Sequence, residues 1–191
     1  KIVAVSKTFK IDKILPLIEY GHSDYGENKV QEALEKWTEI KKINSKIRLH
    51  MVGKLQTNKV KFAVQIFDYI HSVDSEKLAR KIADEQNKIN KKIKVFLQVN
   101  IGDENQKSGI DKNELAQLVS FSKEIGLEVI GLMCIPPVNS DAEVYFAEMN
   151  KLNKVIGLPE LSMGMSSDYI LATKHSSTHI RVGSSIFGQR S

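Results

Sequence analysis

Residues 2–21 read IVAVSKTFKIDKILPLIEYG. The first six, IVAVSK, form an apolar run of strand length. The remainder brings Ile11, Ile14, Leu15 and Ile18 to one face at helical spacing. A strand followed by an amphipathic helix is the unit of a parallel sheet, because parallel neighbours need a long crossover between them. The link, SKTFKIDK, contains no glycine. An open doubly wound sheet often carries a Gly-rich phosphate loop there, so this first unit argues against a dinucleotide-type fold.

The same unit recurs to the end of the chain. DYGEN precedes KVQEALEKWTEIKKIN, IRLHMVG precedes TNKVKFAVQIF, and YIHSV precedes SEKLARKIADEQNKIN. IKVFLQVNIG leads to NELAQLVSFSKEIG, LEVIGLMCIPP to SDAEVYFAEMNKLNKVIG, and ELSMGMS to SDYILATKHSS; THIRVGSSIFG is last. DYGEN is the shortest and most polar of the strand candidates. Eight such units predict an α/β fold, a single (β/α)8 TIM barrel, lean for a fold that usually takes about 250 residues. No repeat, linker or low-complexity tract divides residues 1–191, so one domain is expected.

Composition narrows the class. Of 191 residues 41% are apolar and 27% charged, ample for one core and too apolar for a disordered chain. No run approaches eighteen apolar residues, which argues against a membrane span. The chain enters a strand-like run at once, with no secretory signal ahead of it, and a start on lysine suggests that preceding residues are missing. The single cysteine, Cys134, excludes an internal disulfide framework and a multi-thiolate zinc site, and a cytoplasmic location is expected. Lys+Arg 28 against Asp+Glu 23 gives a net charge of +5. The basic residues are scattered among acids, which suits a small anion as well as a nucleic acid.

In a barrel the C-terminal strand ends share one mouth, where chemistry is built. Lys7 ends the first run on the face of Val3 and Val5, where desolvation would favour the neutral amine that attacks carbonyls; a solvated lysine is the plain alternative. Gly164, Met165, Ser166 and Ser167 form a turn after the seventh strand. Gly183, Ser184 and Ser185 follow Arg181 at the eighth. Amides and hydroxyls at two adjacent ends suit an anion. Arg181 would point to the mouth and either pair with a carboxylate such as Glu27 or donate to a ring nitrogen or anion. From spacing, Asn28 reads first as a helix cap and second as a ligand contact. His50, Lys54, Gln56, Asn58 and Lys59 cluster near the third strand end, with His50 read as packed rather than acid–base. None of the five histidines has metal-ligand spacing. Asp24 and Asp68 do not form a glycosidase pair, and Cys134 reads as an inert buried thiol.

Seven blocks together resemble one family: AVSKTF, YGENKVQEA, HMVGKLQTNK, VNIGDENQKSGI, GLMCIPP, LSMGMSSDY and IRVGSSIFGQR, in unbroken order through nearly the whole chain. The chain is similar to the pyridoxal phosphate homeostasis proteins, relatives of the alanine racemase N-terminal domain. The resemblance implies a single barrel holding pyridoxal 5'-phosphate (PLP) at its mouth. It implies a Schiff base at Lys7, Asn28 beside the ring, and Arg181 facing the pyridine nitrogen. Ser166, with the backbone near Met165, and Gly183 with Ser184 would hold the phosphate. Two departures stand out: Leu49 occupies a position usually held by tryptophan, and the usual leading helix is absent from this chain.

By the same resemblance the function is intracellular PLP homeostasis, a cofactor carrier or regulator without robust catalysis. An arginine opposite the ring nitrogen leaves it unprotonated and a weak electron sink. A racemase would need a second base from a domain for which this chain has no room, so weak amino-acid racemisation is the alternative. PLP-dependent apoenzymes are the expected partners and a monomer the expected state. A nucleic-acid role would rest only on the charge and the Lys54–Lys61 patch, with no aromatic interleaving to support it.

Overall fold

The structure, a computed structural model, describes residues 1–104 and 108–189. Part of VNIGDENQKSGI (residues 105–107) and Arg190 of the last block lie outside the described residues. Eight parallel strands close into a barrel: β1 (Ile2–Val5), β2 (Asp24–Glu27), β3 (Arg48–Met51), β4 (Tyr69–Val73), β5 (Lys94–Gln98), β6 (Glu128–Met133), β7 (Glu160–Met165) and β8 (His179–Val182). The ring is sealed where Ala4 aligns with Tyr25 on one side and with Val182 on the other. The intervening helices are α1 (Ile11–Glu19), α2 (Val30–Ile43), α3 (Val60–Ile66, after a 3₁₀ turn at Thr57–Lys59), α4 (Glu76–Lys88), α5 (Leu115–Glu124), α6 (Ala142–Ile156) and α7 (Tyr169–Lys174); α8 (Ser184–Phe187) is a single closing turn. Ser75 caps α4 and Asp141 caps α6 through side-chain oxygens, while Gly157, at φ +73°, ends α6.

The main core lies between barrel and helices. Ala4, Tyr25, Leu49, Ile70, Val95 and Leu97 face outward from the strands and meet Trp37, Ile82, Leu118 and Phe146. Leu49, where the resemblance leads one to expect tryptophan, is fully buried there and packs in the core. The polar run DYGE forms a strand because each of its residues has a buried place. Tyr25 packs on Trp37 with ring centroids 4.7 Å apart. Gly26 leaves room for β1, since a Cβ there would lie 3.0 Å from Val3 Cγ1.

Inside the barrel a small apolar set of Tyr69, Phe96 and Met133 sits among His50, His71, Ser162, His179 and Arg181, all buried. One expectation needs correction. The strand carrying Lys7 ends earlier, at Val5. Ser6 N–H still donates to the Gly26 carbonyl, but Phe9 N–H turns back to Ser6 O and Thr8 takes φ +68°. Lys7 therefore lies in the turn just past the strand.

Cys134 is fully buried, and burial pushes its thiol up to about 12. Because the thiolate is the reactive form, iodoacetamide at pH 8 is expected to leave the native protein unmodified and to alkylate it stoichiometrically in denaturant. Mass spectrometry reads the result, and rapid native alkylation would contradict the packing. Among the described residues no helix is long and apolar enough to cross a membrane, and no cluster could hold a metal ion.

Candidate binding cavity

The C-terminal strand ends surround a cavity of about 480 Å³. Lys7, Asn28, Met165, Ser166, Arg181, Gly183 and Ser184 all line it, joined by Ser167, Ser185 and the apolar side chains of Val5, Val52 and Ile135. The seven residues singled out in the sequence thus converge on one space. Val52 and Ile135 were not foreseen; each lies just beyond a strand, with no chemical signature to mark it. Lys54, Gln56 and Lys59 instead border a smaller depression of about 310 Å³ on the other side of Asn28. His50 is a fully buried interior side chain.

Two glycines shape the walls. Gly164 has φ +91°, and a Cβ there would lie 2.5 Å from Ala172 Cβ, so only glycine lets β7 turn into the serine loop. Gly53 lets the chain after β3 pass under Asn28, since a Cβ there would be 2.6 Å from the Asn28 carbonyl oxygen. Asn28 is not the helix cap that spacing suggested. The helix begins at Val30 with Lys29 at the N-cap position and no side-chain cap bond, which leaves Asn28 on the cavity.

The two serine loops are tied together where Gly183 N–H donates to Ser166 Oγ at 3.2 Å. Met165 N–H donates to Asp168 Oδ1 at 2.6 Å, holding the first loop tight. The first helical bonds of α8 come from Ile186 and Phe187 to Gly183 O, so the amides of Ser184 and Ser185 stand outside that ladder.

Arg181 is 5% exposed. It donates from Nη1 to Ser162 Oγ at 2.7 Å and from Nη2 to the Cys134 carbonyl at 2.9 Å. Both acceptors are neutral, and among the described residues no carboxylate pairs with it. Glu27 is not its partner. That side chain faces outward, accepting from Ser6 Oγ, Lys36 Nζ and Trp37 Nε1 at 2.7–2.9 Å. Burial lowers the Arg181 pKa, yet a guanidinium stays charged in proteins. A buried cation hydrogen-bonded only to neutral acceptors, with the half-buried Lys7 and two serine-rich loops lining the same cavity, suits a small anion carrying a carbonyl.

The alanine racemase N-terminal domain model matches residues 1–191. The pyridoxal phosphate homeostasis protein of Aquifex aeolicus is 36% identical over 200 residues, covering 100% of this chain and 87% of that protein. The structure of PipY of Synechococcus elongatus PCC7942 without PLP superposes with a TM-score of 0.93 at 34% identity, covering 98% of this chain and 92% of that one. The PLP-bound form of PipY gives a TM-score of 0.91. With that coverage in sequence and in fold, this chain belongs to the alanine racemase N-terminal domain family and, within it, to the pyridoxal phosphate homeostasis proteins.

Proposed function

We propose that this protein binds PLP in the mouth cavity and serves PLP homeostasis as a cytoplasmic carrier, holding the cofactor and handing it to PLP-dependent apoenzymes. The observation that carries this reading is that Lys7 and the buried Arg181 open into the same space as two serine loops. Each chemical group of the cofactor finds a match. The Lys7 amine would bond the aldehyde covalently with loss of water. Arg181 has only donors to offer, which suits the unprotonated ring nitrogen that the resemblance sets opposite it, with Asn28 alongside. Ser166 and Ser184 supply hydroxyls and the Ser184 and Ser185 amides supply N–H donors for the phosphate, while Met165 and Gly183, whose own N–H groups go to Asp168 and Ser166, hold the two loops in shape. When bound, PLP supplies an electron sink, and an unprotonated ring makes that sink weak. This favours storage over turnover.

The test loads purified protein with PLP, records its absorbance, reduces it with borohydride and locates the modified lysine by mass. A visible band that reduction abolishes, with the adduct on Lys7 alone, is expected. An adduct spread over surface lysines, or none, would overturn the reading.

A further inference from the structure

The barrel interior holds a continuous hydrogen-bonded chain that links strands β8, β7, β4, β3 and β2. Arg181 Nη1 lies 2.7 Å from Ser162 Oγ, which lies 2.8 Å from His71 Nδ1. His71 Nε2 lies 2.9 Å from His50 Nδ1, and His50 Nε2 lies 3.1 Å from Asp24 Oδ1. Arg48 closes the far end with Nε and Nη2 donating to Asp24 at 3.0 and 2.7 Å.

The direction of each bond follows from its two ends. Arginine can only donate, so Ser162 Oγ accepts from Arg181, which leaves its O–H available to His71 Nδ1. At the other end burial opposes charge on Asp24, but hydrogen bonds from His50 and Arg48 outweigh it and hold the carboxyl below its ordinary range. An ionised carboxylate only accepts, so His50 carries its proton on Nε2. Burial lowers the pKa of both His50 and His71, against the pull of Asp24 at His50 and with nearby positive charge adding to it at His71, which favours one proton per ring. His50 Nδ1 is then a lone pair, His71 Nε2 must donate to it, and His71 Nδ1 receives Ser162. The Arg181 end is compatible with this order, since a serine hydroxyl can accept from Arg181 and donate to His71. The rings are also held in place: His50 stacks on Tyr69 with centroids 4.2 Å apart, and His71 on Phe96 at 4.3 Å.

We propose that Ser162, His71, His50 and Asp24 are positioning residues, a one-directional relay that orients the Arg181 guanidinium toward the cavity. The anchoring leaves the unused N–H groups of Arg181 for a ligand acceptor. The consequence for a bound ring nitrogen rests on the PLP reading above, whereas the relay itself does not.

The experiment therefore has an arm without cofactor. Nitrogen-15 NMR of the protein with no PLP added should show His50 and His71 each as a single neutral Nε2–H tautomer. It should also show Arg181 guanidinium protons protected from exchange. Ser162→Ala should speed that exchange at least tenfold, and Ser162→Thr, which keeps the hydroxyl, should restore it. In the second arm, PLP-loaded Ser162→Ala should shift the visible band and hold the cofactor about tenfold less tightly, again with rescue by threonine. An imidazolium or an Nδ1–H tautomer at either histidine overturns the relay, as does a folded Ser162→Ala with Arg181 exchange unchanged. A wild-type protein that takes no PLP but shows the expected tautomers and exchange defeats the cofactor reading and leaves the relay standing.

Discussion

Lys7→Ala is expected to remove all covalent capture of PLP: no visible band of the bound cofactor and no adduct after borohydride. No neighbouring group can substitute. The other side chains on the cavity are a guanidinium, an amide, hydroxyls and apolar groups, and of these none is a primary amine able to bond an aldehyde. Binding itself should persist in weakened form, because the phosphate contacts and Arg181 remain. Lys7→Arg should behave like the alanine variant despite keeping the charge, which separates covalent from electrostatic retention. Equilibrium dialysis and absorbance read the two quantities. An undiminished borohydride adduct in Lys7→Ala would refute the assignment.

The barrel was legible because strand–helix alternation leaves its period in the sequence even where a strand is as polar as DYGE. The mouth residues were legible because functional positions in this architecture fall at strand ends, where Lys7, Ser166 and Arg181 are chemically conspicuous. What alternation does not report is which partner a polar side chain finds. Glu27 looked like a counter-ion for Arg181 because both sit near strand ends. The pleat sends them to opposite sides of the sheet: Glu27 outward toward α2, Arg181 into the barrel. Asn28 looked like a cap because spacing cannot distinguish the N-cap position from the residue before it. Ser162 and His71 carried no signal of their own, since their roles come from contact across the barrel between residues 91 positions apart.

Glu27→Ala should destabilise the fold strongly, costing about 3 kcal/mol. The carboxylate is fully buried, and its Oε1 alone accepts from Ser6 Oγ, Lys36 Nζ and Trp37 Nε1. Its removal strands an indole N–H in the core and takes the buried partner from Lys36, whose side chain is only 8% exposed. Breaking a buried pair on one side costs about 3–5 kcal/mol; the lower end applies because Lys36 keeps Glu32 at 3.0 Å and the Ser6 carbonyl at 2.9 Å. Glu27→Gln should cost about 1–2 kcal/mol: the amide oxygen can still accept, but the new N–H₂ sits where Oε2 has no hydrogen-bond partner and is left unsatisfied. For a chain of this size the alanine variant should melt about 6–12 °C lower, with an unchanged urea m-value. A loss below about 1 kcal/mol would sink the argument. The effect should reach function as well. Glu27 and Lys36 hold Ser6, and Glu32 accepts from Thr8 N–H, so the residues on both sides of Lys7 are pinned to α2. Freed from that anchor, the turn spends less time with the amine facing the cavity. PLP capture should then slow even at temperatures where the variant remains folded, with Glu27→Gln intermediate between wild type and alanine.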